Sequence, residues 1–251
     1  DAQVVDGTGT AQSITADRTP PSSTASVAAT SVNATSLAVS VTVNDNVVGA
    51  TSTRVYQATA ATGPYSECGS ASYAATTSTT VALTCTLPAT NGTYYIAAGS
   101  TDAYSNAAPT PTTSIISVVL DTVAPTVSAG LSGATTYMAA TTVTSTYAAS
   151  DGGSGIDSWS HLRQSAGTDG AGSCLTTWST ATAVASGTAA VGTTTSFSNT
   201  GLANGSCYRW YTSASDAATN PATSAVTSVV MVDTAGPTGG AVSINAGATY
   251  T

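Results

Sequence analysis

Aspartate is the residue type with which this chain repeats itself, at positions that could supply oxygen ligands to a cation. Three aspartates each close a strand-like run and precede a proline by no more than four residues: Asp17, Asp121 and Asp233. Two others, Asp102 and Asp216, precede Asp121 and Asp233 at nearly equal spacing. Calcium prefers oxygen ligands, but aspartate also stabilises turns without a metal by accepting backbone hydrogen bonds. The sequence therefore predicts turn residues and no cofactor, with calcium as the alternative.

Catalytic chemistry is hard to assemble from the remaining polar residues. His161 is the single histidine, close to Trp159 in a strand-like segment, and a packed histidine is more common there than a general base. Asp151 and Asp157 flank a glycine-rich turn, which explains them without a carboxylate pair. The sequence contains no phosphate-binding loop, nucleophile elbow or zinc-binding helix motif. We therefore predict that the chain is not an enzyme.

Aromatic residues offer a second kind of site. Trp159 and Trp178 could line a platform for a sugar ring, although tryptophan more often fills the core of a β-sandwich. The segment 165–173 is glycine-rich and predicts a mobile loop. Together they define an alternative function, an adhesin or carbohydrate-binding array that contacts glycans or a host surface.

Three sequons provide candidate sites for N-linked glycans. They begin at Asn33, Asn91 and Asn204. The second and third are also Asn-Gly pairs, for which the chemistry of a tight turn is sufficient reason. Turn formation is thus the simpler interpretation at both.

The four cysteines fall two in each half of the chain. Pairing within each half gives Cys68–Cys85 and Cys174–Cys207, the simplest of three connectivities, and four free thiols are the alternative. The spacing is not that of a zinc or redox site. Disulfides form in oxidising compartments, and the longest apolar runs are far too short to cross a bilayer. The prediction is a secreted or cell-surface location without a membrane span in this chain.

Charge excludes several partners. The chain has four arginines, no lysine and a formal net charge of −8, and only 6% of its residues are charged. Without a basic patch, binding to nucleic acid or to an anionic membrane has no electrostatic basis. The absence of lysine also excludes a lysine isopeptide cross-link.

The elements that must position these residues are strands. The aspartate-to-proline segment recurs at intervals of roughly 100 residues, which is the size of a domain and too long for a solenoid repeat. Between its copies, apolar residues alternate with polar ones as in a half-buried strand, most clearly over Ser36–Val43, and no amphipathic helix occurs. The first repeat is predicted to open with a strand at Ser26–Thr30 and to hold about seven strands, as in a sandwich.

The predicted fold class is all-β, with tandem Ig-like β-sandwiches joined by short proline-containing linkers. Residues 1–17 are predicted to close a preceding repeat or to form an exchanged segment. Residues 18–121 and 122–233 form two complete sandwiches, and residues 234–251 form the opening strand of a following repeat.

Three segments of the second repeat resemble the bacterial Ig-like and fibronectin type III-like repeats of large surface proteins. They are Asn204-Gly-Ser-Cys-Tyr-Arg-Trp-Tyr, Asp216-Ala-Ala-Thr-Asn220 and Val232-Asp-Thr-Ala-Gly-Pro-Thr. Asp151-Gly-Gly-Ser-Gly155-Ile is similar to a turn of the same repeats. The chain departs from the pattern at Ser105 and Thr219, where glycine is usual. The resemblance implies an extracellular spacer, an adhesin stalk or a fibre building block.

The predicted function is therefore structural: an extracellular tandem Ig-like rod that forms a surface stalk or filament. If Asp1 and Thr251 are the true termini, the incomplete repeats at the two ends favour head-to-tail strand exchange, because an open sheet edge accepts a strand from another chain. The predicted partners are neighbouring copies of the chain or adjacent repeats of the same chain.

Overall fold

The computed structural model describes residues 2–5, 11–14, 16–108, 114–133, 136–169 and 171–236. All regular secondary structure in these ranges is β-strand, so they contain no helix that could span a membrane. The chain divides into two compact units. Unit 1 comprises the described residues up to Val123 together with Gly152–Ser154 and Ala217–Asn220, and unit 2 comprises the other described residues.

Unit 1 is a sandwich of two sheets preceded by a hairpin. The hairpin pairs β1 (Ala2–Val5) with β2 (Ala11–Ile14). The sandwich strands are β3 (Ser22–Ser26), β4 (Ser31–Val32), β5 (Ser36–Asn44), β6 (Ala50–Ala58), β7 (Ser66–Thr76), β8 (Ser78–Thr86), β9 (Gly92–Asp102) and β10 (Ile116–Leu120). One sheet has the order β3-β5-β8 and the other the order β4-β10-β9-β6-β7.

The alternating pattern of β5 accounts for the core of unit 1. Successive side chains of a strand point to opposite faces, so Leu37, Val39, Val41 and Val43 all face inward and are buried. They belong to one cluster with buried apolar residues of the facing sheet, such as Ile96. Burial of each such side chain stabilises the fold by about 2 kcal/mol.

Unit 2 has the same arrangement. Its strands are β11 (Thr126–Leu131), β12 (Tyr137–Met138), β13 (Val143–Ser150), β14 (Ile156–Gly167), β15 (Thr182–Gly187), β16 (Val191–Asn199), β17 (Ser206–Asp216), β18 (Pro221–Thr223) and β19 (Val230–Val232). The sheets have the orders β11-β13-β16 and β12-β19-β17-β14-β15, and β18 pairs with β17. Apart from β18, this order reproduces that of unit 1 strand for strand.

Two local predictions are wrong. The opening strand is Ser22–Ser26 and not Ser26–Thr30, because pairing with β5 places Ala25 in the core, whereas Val27 is only partly buried at its edge. The predicted loop 165–173 begins as a strand, since β14 pairs with β17 as far as Gly167. The end segment predicted to open a following repeat lies outside the described residues from position 237 onward.

Candidate functional site

The aspartates that begin the three aspartate-to-proline segments, Asp17, Asp121 and Asp233, make the same local hydrogen bond; we call them the joint aspartates. In each copy, the carboxylate Oδ1 accepts a hydrogen bond from the backbone N–H two residues further on, an Asx turn. The donors are Thr19 for Asp17 at 2.9 Å, Val123 for Asp121 at 3.1 Å and Ala235 for Asp233 at 3.1 Å. This bond gives a physical reason for aspartate at the start of every joint.

Asp121 is the most enclosed of the three, at 1% exposed. Its Oδ2 also accepts a hydrogen bond from the backbone N–H of Ser154 at 2.7 Å, and Asn91 Nδ2 donates to Oδ1 at 3.3 Å. Burial raises the pKa of Asp121, but the hydrogen bonds from Ser154 and Val123 outweigh it, so the pKa lies below its ordinary value. A Cβ atom at Gly153 would overlap the carboxylate, which explains glycine there.

A cluster of three carboxylates forms at one end of unit 1, and we call it the aspartate triad. Asp17 precedes β3, Asp45 follows β5 and Asp102 ends β9. One carboxylate oxygen from each of the three lies within 4.8 Å of the others. Asp17 is 8% exposed and Asp102 is 2% exposed. Asp45 lies outside the recurring segments of the sequence, so the repeat pattern does not point to it.

Hydrogen bonds fix Asp102 in the triad. Its Oδ1 accepts from the backbone N–H groups of Tyr104 and Asn106, both at 2.8 Å, and its Oδ2 accepts from Asn106 Nδ2 at 2.7 Å. Burial raises the pKa of Asp102, but these hydrogen bonds outweigh it and hold the pKa below its ordinary value. The turn contains a residue in the left-handed region, and that residue is Ser105, with φ of 68°.

The other two members of the triad each have a carboxylate oxygen without a partner. Asp17 Oδ2 and Asp45 Oδ1 are buried and make no hydrogen bond, whereas the second oxygen of each accepts from the backbone, of Thr19 and Gly49 respectively. Burial of an unsatisfied polar atom costs about 1–3 kcal/mol, and more for a charged group. The triad therefore contains two buried carboxylate oxygens whose hydrogen-bonding capacity is not used.

Arginine does not neutralise the triad. The one ion pair among the residues that the structure describes joins Arg54 to Glu67 at 3.5 Å. Arg54, Arg163 and Arg209 lie within strands β6, β14 and β17. Arg18 is exposed in the irregular segment before β3 and makes no ion pair in the described part of the chain.

The remaining calcium candidates are Asp216 and Asp233. Asp216 ends β17 and is 1% exposed, as Asp102 ends β9, and Thr219 has φ of 71° at the place of Ser105. Asp233 is exposed and its Oδ1 is occupied by the Asx turn.

His161 is the centre of a buried polar network between the sheets of unit 2. Its Nε2 lies 2.9 Å from Ser145 Oγ, its Nδ1 lies 3.1 Å from Thr212 Oγ1, and its ring stacks on that of Tyr147 at 4.8 Å. The side chain is fully buried. Burial lowers the pKa of His161 to about 4, although a hydrogen bond with the backbone of Tyr211 opposes the shift. Its position between two hydroxyls in the core is that of a structural residue.

We expect unit 2 to lose stability as the pH falls from 6.5 to about 4. The pKa of His161 in the folded state lies below its ordinary value of 6.5, so the unfolded state binds the proton first, and the loss reaches about 2.5 kcal/mol at pH 4.5. Guanidinium unfolding followed by tryptophan fluorescence measures it, because all three tryptophans lie in unit 2. His161→Gln removes the titrating group and should abolish this pH dependence. An identical dependence in the variant would contradict the prediction.

The two tryptophans of the predicted sugar platform differ in access. Trp159 is 8% exposed, packs on Tyr147 at 5.0 Å and donates from Nε1 to the carbonyl of Ala189 at 2.8 Å. It is a core residue and unavailable to a sugar ring. Trp178 is half-buried beneath the guanidinium of Arg209, whose Cζ lies 4.1 Å from the ring centroid.

The sequon asparagines are all exposed, and each side chain has a hydrogen-bond partner. Asn33 Nδ2 donates to Thr219 Oγ1 at 3.4 Å, and Asn204 Oδ1 accepts from the backbone N–H of Thr234 at 2.7 Å. Asn91 bridges Asp121 and Thr122. Each asparagine thus joins segments that are distant in sequence, and glycosylation stays a prediction.

A tyrosine near the start of β9, and another near the start of the equivalent strand β17, fold back onto the preceding turn. Tyr94 donates from its hydroxyl to the carbonyl of Thr90 at 2.7 Å, and the Tyr208 hydroxyl accepts from the backbone N–H of Ala203 at 2.9 Å. Such a tyrosine corner is a hallmark of immunoglobulin sandwiches. A marsupial T cell receptor has a similar structure, with a TM-score of 0.50 and 12% identity over 84% of this chain and 73% of the receptor chain. The fold is Ig-like.

Other comparisons add little to this Ig-like assignment. A crystal structure of titin domains matches with a TM-score of 0.45 and 13% identity over 84% of this chain and 66% of the titin chain. No family model matches the sequence, and no curated protein matches it.

Each Ig-like unit contains one of the predicted disulfides. Cys68–Cys85 joins β7 to β8 with a Cα–Cα distance of 4.6 Å, and Cys174–Cys207 joins β17 to the segment after β14 with a distance of 5.9 Å. No free cysteine remains. Two disulfides imply folding in an oxidising compartment, as for extracellular proteins.

Proposed function

We propose that the chain is a structural extracellular protein in which Ig-like units follow one another as tandem repeats, joined by short proline-containing linkers, to form a surface stalk or filament. The observation that carries the proposal is the repetition itself. The two units share one strand order, and each joint aspartate forms the same Asx turn. A repeated module with a repeated joint is what a spacer of adjustable length needs.

The proposal includes the absence of catalysis. His161 is fully buried in the core of unit 2 and satisfied by two hydroxyls. Trp159 is also a core residue, which removes half of the predicted sugar platform. These placements favour a mechanical role over an active site or an aromatic glycan-binding site.

The structural role is tested by the length of the chain in solution. β14 has 12 residues, and a strand of that length spans about 40 Å. Two sandwiches arranged end to end should therefore give a maximum dimension of about 80 Å or more in small-angle X-ray scattering. A maximum dimension of only about 50 Å, little more than one strand length, would indicate that the units fold back on each other and would contradict a rod.

Mechanical unfolding of single molecules provides a second test of the structural role. Pulling on the chain ends should give two separate unfolding events. Reduction should lengthen the two contour-length increments by about 6 and 12 nm, since the disulfides enclose sequence separations of 17 and 33 residues. A single event for the whole chain would contradict independent modules.

We further propose that neighbouring copies or adjacent repeats are the partners, with head-to-tail strand complementation as the route to a filament. An open sheet edge can accept a strand from another chain. Molar mass by light scattering, measured over a hundredfold range of concentration, checks this route. A monomer at every concentration would count against strand exchange and would leave the stalk unaffected.

A further inference from the structure

We propose that Asp17, Asp45 and Asp102 bind one calcium ion at the end of unit 1. Two separate observations point to the same place. The three carboxylates converge within 4.8 Å, and two of their oxygens, Asp17 Oδ2 and Asp45 Oδ1, are buried without any partner. The first observation describes a set of ligand atoms, and the second describes a missing interaction that a cation would supply.

The spacing of the oxygens suits calcium. Calcium–oxygen distances are about 2.3–2.6 Å, so two oxygens on opposite sides of one ion lie at most about 4.6–5.2 Å apart. The three oxygens fall within this span. Magnesium demands near-ideal octahedral geometry at about 2.0–2.1 Å and usually keeps several waters, so a site built from three converging protein carboxylates suits it less well.

The charges of the triad argue for a divalent ion and against a simple turn. A buried turn aspartate can satisfy both oxygens with backbone N–H groups, as Asp121 does with Val123 and Ser154. Asp17 is only 8% exposed and has one such donor for its two oxygens. Within the described residues, no arginine lies within 4.0 Å of the triad. Three adjacent carboxylates in a partly buried place repel one another, and a calcium ion reverses the sign of that interaction.

Calcium would fasten the segment that enters unit 1. Asp17 lies outside the strands, whereas Asp45 and Asp102 adjoin the ends of β5 and β9, which belong to different sheets. Asn106 Nδ2 already donates to the carbonyl of Asp17 at 3.0 Å and to Asp102 at 2.7 Å. One ion shared by the three side chains would therefore tie the entering segment to both sheets.

A calcium titration of the full chain followed by assigned amide NMR spectra tests the proposal at the residue level. The reporters are the backbone N–H groups that donate to the triad: Thr19, Gly49, Tyr104 and Asn106. The resonances of all four should shift together, with one midpoint at a calcium concentration of about 10⁻⁴–10⁻³ M, the range of extracellular calcium modules. Magnesium at equal concentration should produce less than a tenth of the shift.

Asp45→Asn is the deciding variant. It keeps an oxygen for the Gly49 N–H and removes one ligand charge, so we expect at least tenfold weaker binding with a dispersed spectrum retained. Asp169→Asn is the matched control, an exposed turn aspartate in unit 2, and should bind calcium as the unaltered chain does.

Three results would overturn the proposal: no shift of the four amides in the unaltered chain at calcium concentrations well above the expected midpoint, equal shifts in Asp45→Asn, or equal shifts with magnesium. Because the first and third need only the unaltered chain, a variant that failed to fold would leave the test decisive. The site depends on contacts within unit 1 alone, so its failure would not affect the stalk, and a failed scattering test would not affect the site.

Discussion

Replacing Trp210 by alanine is expected to lower the free energy of unfolding of unit 2 by about 4 kcal/mol. Trp210 is fully buried and packs in one cluster with Val143, Leu202 and Val230. Its Nε1 also donates to Asn199 Oδ1 at 2.9 Å. The substitution therefore leaves both a cavity and a buried amide oxygen without its donor, and each adds to the cost.

Guanidinium unfolding followed by tryptophan fluorescence measures this loss, because Trp159 remains as a buried reporter. Trp178→Ala is the matched control. It removes the same side chain from a half-buried position and should cost about 1 kcal/mol. A loss below about 2 kcal/mol for Trp210→Ala, less than a buried tryptophan normally costs, would mean that this cluster is not the core of unit 2.

Removal of the Cys174–Cys207 disulfide is expected to destabilise unit 2 by a similar amount. The closed loop spans a sequence separation of 33 residues, for which the chain-entropy model gives about 4 kcal/mol. Cys207 is also fully buried and contacts Ala166 and Met231 in a small cluster. The double variant Cys174→Ala, Cys207→Ala avoids free thiols and keeps the site apolar.

The disulfide of unit 1, Cys68–Cys85, provides the control. Cys68→Ala with Cys85→Ala opens a loop of sequence separation 17, for which the expected loss is about 3 kcal/mol. Since unit 1 contains no tryptophan, this loss should appear in circular dichroism and leave the fluorescence transition of unit 2 unchanged. A shift of the fluorescence transition would show that the two units unfold together.

The strands that alternate strongly were predictable, and those that do not were missed. Ser36–Val43 carries four branched apolar residues at every second position, so its period alone marks β5. β7, over Ser66–Thr76, consists mainly of serine, alanine and glycine and shows no such signal. It is a strand because it pairs with β6 and is held to β8 by the Cys68–Cys85 disulfide, and neither partner strand can be identified from the residues of β7 alone.

Two of the three aspartates of the candidate site were predictable from the sequence, and the third was not. Asp17 and Asp102 belong to segments that recur, so repetition drew attention to them. Asp45 lies between two asparagines, a sequence that turn chemistry explains in full. It joins Asp17 and Asp102 only because β5 and β9 end at the same end of the sandwich. The two orphaned oxygens depend on burial, which no local pattern encodes.

The placement of the four arginines bears on how the chain withstands digestion. The chain has no lysine, and three arginines lie within β6, β14 and β17, where the backbone is hydrogen-bonded to neighbouring strands. Proteases need an extended, accessible segment, so an enzyme that cleaves after basic residues meets one accessible bond in the native chain, that after Arg18. Trypsin-like proteases would therefore leave both sandwiches intact.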